Sequence, residues 1–295
     1  MDTKKTTFNN RLLPYLLLAP QLFITLVFFI WPAAQAVKSS FEREDPFGLS
    51  TVFVGLLHYE RLFEDPNYLD ALSRTAVFAV SVTALSMLLG LAFAASVDRL
   101  VRSGKVYTTL LVWPYAVAPV VAGVLWWFLF NSSTGLMPFF LEKIGIHWDH
   151  DLNGTQAMIL IIIAAAWKQV SYNFLFFLAG LQSVPQSLME AAAIDGSGPV
   201  KRFFTIVFPL ISPTTFFLFV VNVVYAFFDT FVIVDATTHG GPGKDTEILV
   251  YKVFTDGFRG GDLGGSAAQS VVLMALVILL TVVQFKYVEK KVQYA

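Results

Sequence analysis

Six stretches of the chain are long and apolar enough to cross a lipid bilayer, and they restrict the fold more than any other feature. A transmembrane helix needs about 20 mainly apolar residues to span the hydrocarbon core. The stretches cover approximately residues 12–36, 71–97, 107–130, 156–182, 208–229 and 267–288. Only 14% of the residues are charged, whereas soluble domains carry about a quarter. The sequence therefore predicts an all-α, polytopic membrane protein with six transmembrane helices.

The first apolar stretch has a second interpretation, because it resembles a cleavable signal peptide. Basic residues precede it, and residues 34–36 read Ala-Gln-Ala, which is typical of a cleavage site. The apolar core of a signal peptide is usually about 7–15 residues long, and this stretch is longer. We therefore expect a retained helix. Residues 1–70 are then the first helix and the first outer loop, and residues 71–295 are a five-helix core.

The basic residues predict the orientation of the spans, because cytoplasmic loops carry an excess of Lys and Arg. With the N-terminus inside, the short inner segments hold most of them: Lys4, Lys5, Arg11, Arg99, Arg102, Lys105, Lys201, Arg202, Lys286, Lys290 and Lys291. The outer loops are longer, and the first of them is strongly acidic. Both termini are therefore expected in the cytoplasm.

Several classes of function are excluded by what the sequence lacks. The net charge of −1 gives no reason to expect nucleic acid as a partner. There are no cysteines, and the four histidines are scattered, so no metal site is predicted. The glycine-rich run that ends at Lys244 has Thr238 where a phosphate-binding P-loop needs its first glycine. No Ser/His/Asp set or pair of acids lies at membrane depth, so an enzyme is not expected.

Two clusters of polar residues interrupt the fourth and fifth spans. Polar groups at membrane depth usually face a cavity or a partner helix. We take these residues as the candidate lining of a solute cavity: Lys168, Gln169, Tyr172, Asn173, Asn222, Tyr225, Asp229 and Thr230. The alternative is that they form hydrogen bonds between helices and hold the bundle together. Lys168 favours a cavity, since an ammonium at this depth requires water, an anionic solute or an acidic partner such as Asp229.

The third span contains two prolines five residues apart, Pro114 and Pro119. Proline removes a backbone donor and clashes with the preceding turn, so it kinks or unwinds a helix. Broken helices near the middle of the membrane often mark transport sites. The sequence therefore predicts a kinked or broken third span.

The segment between the fourth and fifth spans is polar and helix-prone, and the predicted orientation places it in the cytoplasm. Ser187 and Glu190 have the spacing of a capping box, in which both side chains satisfy free amide groups at a helix start. Alanines follow, and Gly196 is placed to end the helix. This pattern predicts a short helix, an elbow and a second helix within about residues 186–204. Taken alone, it fits an ordinary connector as well as a docking element.

Motifs in this segment and elsewhere resemble a known family. The EAA loop of the permease subunits of bacterial ABC importers is similar to the following run: Glu190-Ala191-Ala192, Asp195-Gly196, Gly198-Pro199 and then Phe208-Pro209-Leu210. The outer loop of the carbohydrate-uptake (MalF-like) branch resembles Thr238, Gly240-Gly241-Pro242 and Tyr251. Residues 13–16, 19–21, 114–119 and 225–231 further resemble A-type permeases of sn-glycerol-3-phosphate importers. A permease for a sugar or an oligosaccharide in the same branch is the alternative.

The resemblance implies a type I ABC importer permease fold in the bacterial inner (plasma) membrane. It implies a complex with a second homologous permease, two ATPase subunits that use ATP and Mg, and an external solute-binding protein. In such a complex the following residues would couple to an ATPase: Glu190, Ala191, Ala192, Asp195, Gly196 and Gly198. The binding protein would contact Gly240, Gly241 and Pro242. The expected function is transport of sn-glycerol-3-phosphate or glycerophosphodiesters by ATP-driven alternating access, with no cofactor bound by this subunit.

Two other classes of function stay open. A secondary transporter coupled to protons or sodium would use Lys168 and Asp229, but it would leave the EAA loop unexplained. A purely structural scaffold would not need polar residues on two cavity-facing helices.

Overall fold

Helices make up nearly all of the structure. The computed structural model describes residues 13–45, 50–98 and 104–289. In this part of the chain, five helices are long and apolar enough to cross a membrane: Leu13–Ser39, Pro66–Asp98, Gly154–Gln182, Ser212–Asp229 and Leu263–Tyr287. A bent pair of shorter helices, counted as one span, brings the number to six. The prediction of an all-α protein with six spans is confirmed.

The elements follow one another in this order along the described chain. The α-helices are α1 (Leu13–Thr25), α2 (Trp31–Ser39), α3 (Leu57–Glu64), α4 (Pro66–Asp98), α5 (Gly104–Ala116), α6 (Pro119–Phe130), α7 (Leu136–Lys143), α8 (Gly154–Gln182), α9 (Gln186–Ile194), α10 (Pro199–Arg202), α11 (Phe208–Leu210), α12 (Ser212–Val224), α13 (Phe231–Thr237), α14 (Leu249–Phe254) and α15 (Leu263–Val283). The strands are β1 (Glu42–Glu44) and β2 (Thr51–Phe53). The π-helical segments are Leu26–Ile30, Phe203–Val207, Tyr225–Asp229, Thr255–Arg259 and Gln284–Val288.

The chain divides into two compact units. One contains Met1–Glu64 and Thr255–Val272, and the other contains Asp65–Phe254 and Leu273–Ala295. The separation of a first helix and loop from a five-helix core near residue 70 remains a prediction.

In the first unit, α1, α2 and the π-helical segment between them form one apolar helix with no buried residue. The hairpin that follows is antiparallel, with Glu42 opposite Phe53. Two buried polar side chains support it. The Ser40 hydroxyl lies 2.7 Å from the Tyr59 hydroxyl, and His58 Nε2 lies 3.2 Å from the Glu42 carbonyl oxygen.

The second unit is built on α4 and α8, which pack together closely. A Cβ atom on Gly90 would lie 2.6 Å from the Cβ of Asn173, so only glycine permits this approach. One end of the unit has an apolar core of Phe78, Val82, Ile161, Ala164, Ala165, Tyr225, Ile233, Val234, Ile248 and Tyr251. The other end has a core of Ala94, Val97, Phe174, Phe177, Leu178, Leu181, Val207, Ile211 and Leu218.

The third span is broken where the two prolines predict it. α5 ends at Ala116, α6 begins at Pro119, and the two helices are bent by 101°. Ala118 has an extended conformation, with φ −59° and ψ 141°, as expected for a residue that precedes proline. The predicted break is confirmed.

Most of the basic residues that predict the orientation lie outside the described residues: Lys4, Lys5, Arg11, Arg99, Arg102, Lys290 and Lys291. The cytoplasmic location of both termini remains a prediction.

Candidate functional site

A cavity of about 700 Å³ lies beside the break in the third span. Three helical segments surround it: the α5–α6 break, the middle of α8, and the part of the fifth span around the π-helical segment Tyr225–Asp229. Its lining comprises Tyr115, Pro119, Lys168, Gln169, Tyr172, Val220, Val221, Val224, Tyr225, Phe228, Asp229, Phe231 and Val232. Lys168 is the middle residue of the 29-residue α8. The cavity is therefore at the centre of the membrane-spanning region, where transporters bind their solutes.

Lys168 is held by the broken end of α5. Its Nζ donates hydrogen bonds to the Val117 carbonyl oxygen at 2.7 Å and to the Tyr115 carbonyl oxygen at 3.2 Å. These carbonyls sit at the helix C-terminus, where the break leaves them without a helical N–H partner and where a cation is favoured. Nζ also lies 5.7 Å from the centre of the Tyr115 ring. The ammonium thus compensates for the break and still faces the cavity.

Asp229 is not the partner of Lys168. Both residues line the cavity, yet among the described residues the ion pairs do not include a contact between them. Lys168 instead donates to the two backbone carbonyls of Tyr115 and Val117. The sequence could not predict these contacts, because the carbonyls belong to another span. The cavity therefore holds one positive and one negative group that are not joined to each other.

Three of the eight candidate cavity residues are buried in helix packing and do not line the cavity. Asn173 and Asn222 are completely buried and exchange two side-chain hydrogen bonds, of 3.0 and 2.7 Å. Ser86 of α4 donates to the same Asn222 oxygen at 2.8 Å. Thr230 is also completely buried and donates to the Ala226 carbonyl at 3.0 Å. The two asparagines therefore form hydrogen bonds between helices, which was the alternative to lining a cavity.

A π-helical turn explains why the predicted residues of the fifth span separate. Uniform α-helical spacing would place Asn222, Tyr225 and Asp229 on one face, but the segment Tyr225–Asp229 is π-helical and so has a wider turn. As a result, Asn222 points into the packing with α4 and α8, while Asp229 lines the cavity. Tyr225 lies between these positions, mostly buried, and its hydroxyl donates to the Ala165 carbonyl at 3.2 Å.

The structure brings together five of the predicted residues and adds, besides apolar side chains and Pro119, one more polar side chain. The five are Lys168, Gln169, Tyr172, Tyr225 and Asp229. The addition is Tyr115, whose ring centre lies 6.0 Å from that of Tyr172. Tyr115 could have been predicted from its position directly after the first proline of the third span, because the broken part of a helix often lines a cavity.

We expect the replacement Asn222→Leu to destabilise the bundle by about 1–2 kcal/mol, because it leaves Asn173 and Ser86 without their buried partner. Thermal unfolding of the purified protein in detergent measures the change. The matched control is Gln169→Leu, which removes an amide from the cavity side of α8 and should have a smaller effect. Equal destabilisation by the two changes would contradict the assigned role of Asn222.

The loop between the fourth and fifth spans forms the predicted short helix and elbow. α9 has no buried residue, and Glu190 and Ala191 are exposed. Gly196 has φ +75°, and the amide of Ser197 donates to the Ala192 carbonyl at 2.9 Å, so the helix ends in a Schellman turn. The predicted helix end at Gly196 is confirmed. Gly198 has φ −66° and does not use the freedom of glycine.

The predicted capping box in this loop is wrong. α9 begins two residues earlier than its spacing requires, with Pro185 and not Ser187 at the N-cap position and no side-chain cap. Ser187 is therefore already inside the first turn, where its hydroxyl cannot act as the N-cap. Arg202 connects the two helices of the loop, because its Nη1 donates to the Met189 carbonyl at 3.2 Å and joins α10 to α9.

The apolar side chains of this loop are unusually exposed. Ile194 is 87% exposed and Val200 is 70% exposed. The loop therefore leaves two apolar side chains uncovered, and it is held at its base by Arg202 and ended by Gly196.

The glycine-rich motif around Gly240, Gly241 and Pro242 is a compact turn packed on Tyr251. Gly240 has φ +80° and is buried, and a Cβ there would lie 2.7 Å from the Tyr251 ring. The Thr246 hydroxyl donates to the Gly241 carbonyl at 2.7 Å and closes the turn. Gly241 and Pro242 are half-buried and therefore partly accessible at the surface, whereas Gly240 is buried.

Solved structures with a similar fold are bacterial importers. The chain of an ABC transporter described as importing the acidic polysaccharide alginate matches with a TM-score of 0.76, at 19% identity, over 93% of this chain and 96% of that one. A second structure of an alginate ABC transporter, in complex with an alginate pentasaccharide-bound periplasmic protein, matches with a TM-score of 0.77 at 18% identity. These matches show the type I importer permease fold.

Relatives with similar sequences extend over the whole chain. The sn-glycerol-3-phosphate transport system permease protein UgpA of Rhizobium meliloti (strain 1021) is 57% identical over 99% of both chains. UgpA of Escherichia coli (strain UTI89 / UPEC) is 57% identical over 100% of both. Residues 69–294 match the family model of the binding-protein-dependent transport system inner membrane component. The chain belongs to this family of permeases and is a multi-pass protein of the inner membrane.

Proposed function

We propose that the chain is a permease subunit that carries sn-glycerol-3-phosphate or glycerophosphodiesters across the inner membrane. The main support is the full-length similarity to UgpA permeases, at 57% identity. The chemistry of the cavity agrees with such a solute. Lys168 presents a cation for a phosphate, and Gln169, Tyr172 and Tyr115 surround it with groups that suit hydroxyls.

In this proposal the permease has four partners in the same transport system. They are a second homologous permease, two ATPase subunits and a solute-binding protein on the outer side. ATP and Mg are used by the ATPase subunits, and this chain performs no covalent chemistry. The binding protein delivers the solute near Gly241 and Pro242, and the second permease completes the cavity.

The loop between the fourth and fifth spans, which lies on the cytoplasmic side in this proposal, transmits the movement of the ATPase. α9 is short, exposed and joined to α10 by the Arg202 hydrogen bond, so that a push on α9 reaches the fifth span through α10. Glu190 offers a carboxylate to a basic or amide partner, and Ala191 permits close approach. The following residues are proposed to make up the docking surface: Glu190, Ala191, Ala192, Asp195, Gly196 and Gly198.

Uptake by the reconstituted complex tests this proposal. The permeases and ATPases are reconstituted into vesicles with the ATPases and ATP on the inside. These vesicles should take up labelled sn-glycerol-3-phosphate when the binding protein is added outside. Excess glycerophosphodiester should compete, and omission of the ATPases should abolish uptake. Uptake of a neutral sugar in place of sn-glycerol-3-phosphate would assign the chain to the sugar permeases. Uptake without ATPases would identify an ion-coupled transporter.

A further inference from the structure

A second cavity, separate from the solute cavity, lies where α4 and α8 both begin. It is a groove of about 450 Å³ with a polar rim and an apolar floor. Arg74, Ser73, Thr155 and Asp245 form the rim, and Val77 and Ile159 contribute to the floor. Val77 is 58% exposed and Ile159 is 41% exposed, so the floor opens sideways from the bundle. Because both helices cross the membrane, an apolar surface on their side faces the membrane interior.

The guanidinium group of Arg74 has only part of its hydrogen bonding provided by the described residues. Its Nη2 lies 3.9 Å from Asp70, at the limit of an ion pair, and the Asp70 side chain is 65% exposed. Its Nη1 is shielded from solvent and has no hydrogen-bond partner among the described residues. A buried guanidinium donor without an acceptor is costly. The groove therefore favours an anionic group that approaches Nη1.

Arg74 lies towards one end of α4. This helix has 33 residues and, at about 1.5 Å per residue, is roughly 50 Å long, which exceeds the hydrocarbon thickness of about 30 Å. Arg74 is eight residues from the middle of the helix, or about 12 Å along its axis. An arginine near the end of a span can extend its head towards the lipid phosphates while its stem stays in the apolar region.

Asp245 places a negative charge on the same rim as Arg74. Its carboxylate packs directly against Gly154, where a side chain larger than hydrogen would collide with it. The groove thus presents a cation, an anion and an apolar floor together. A phospholipid headgroup that contains a phosphodiester and an ammonium group has the complementary arrangement.

We propose that this groove binds a phosphatidylethanolamine molecule of the membrane. Its phosphodiester pairs with Arg74, its ammonium group donates to Asp245, and one acyl chain lies along Val77 and Ile159. The proposal concerns a lipid site and does not depend on which solute the permease carries.

Lipid retention by the assembled complex tests the proposal. The complex is reconstituted into vesicles of phosphatidylethanolamine and phosphatidylcholine in equal amounts and then extracted in detergent, and the retained lipids are quantified by mass spectrometry. The wild-type complex should retain phosphatidylethanolamine several-fold over phosphatidylcholine. Arg74→Gln should lower the retained amount at least about fivefold. The matched control Arg61→Gln, at an exposed arginine outside the groove, should leave it unchanged.

Two further variants separate the parts of the site. Asp245→Asn should abolish the preference for phosphatidylethanolamine while phospholipid remains bound. Ile159→Trp fills the floor with Arg74 intact and should expel the lipid. Equal retention by Arg74→Gln and Arg61→Gln, or full retention by Ile159→Trp, would overturn the proposal. A photoreactive group at position 77 should label an acyl chain, and labelling of another protein subunit instead would also overturn it.

Discussion

Replacement of Lys168 by methionine should lower the uptake of sn-glycerol-3-phosphate by about 10- to 100-fold, which corresponds to the loss of one or two hydrogen bonds to a charged group. The physical reason is twofold. The phosphate loses its cation, and the remaining charge in the cavity, that of Asp229, repels an anionic solute. Initial uptake rates in proteoliposomes at several solute concentrations measure the effect.

Matched variants distinguish this charge effect from the structural role of Lys168 at the helix break. Lys168→Arg keeps the charge and the donors and should retain uptake within about threefold of wild type. Lys168→Met combined with Asp229→Asn removes the repulsion and should recover part of the uptake lost in the single variant. If Lys168→Met assembles normally and transports sn-glycerol-3-phosphate at the wild-type rate, the proposed phosphate contact is wrong.

The second large effect is expected at the end of α9. Gly196→Val forces a β-branched residue into a left-handed conformation, with φ +75° in the native turn, at a cost of about 1–3 kcal/mol. The Schellman turn then opens and the direction of α9 changes. Uptake should fall at least about tenfold, and ATP hydrolysis should lose its stimulation by the loaded binding protein.

Gly198→Ala is the matched control for this variant. Gly198 lies two residues away with φ −66°, and a Cβ there has nothing within 4 Å. Uptake and stimulated ATP hydrolysis by Gly198→Ala should therefore fall much less than those of Gly196→Val, although Gly198 belongs to the same proposed docking surface. Similar losses in both variants would show that the loop responds to any change, and similar activity in both would remove the role of the turn.

The elements that depend on local sequence could be predicted. Apolar length identified the six spans, two prolines identified the break in the third span, and a glycine after an alanine run identified the end of α9. Each of these follows from a property of the backbone or of one short segment. The capping box failed by a shift of two residues, because Pro185 is an equally local signal for a helix start and the helix begins directly after it.

The composition of the cavity could be predicted only in part. Helical spacing assumes a uniform turn, and the π-helical segment at Tyr225 changed the face on which Asp229 lies relative to Asn222. The partner of Lys168 could not be found from spacing at all, since its acceptors are the backbone carbonyls of Tyr115 and Val117. Backbone groups freed by a broken helix carry no side-chain signal in the sequence.

The hydrogen-bonded group of Ser86, Asn173 and Asn222 has a consequence for the biosynthesis of the protein. The three residues are inserted into the membrane one after another during synthesis, and Asn222 is last. Until it arrives, Ser86 and Asn173 lack the acceptor and the donor that it supplies. A chain halted after α8 thus leaves two polar side chains incompletely satisfied in lipid, and completion of α12 removes that defect. The group therefore distinguishes a fully inserted bundle from an unfinished one.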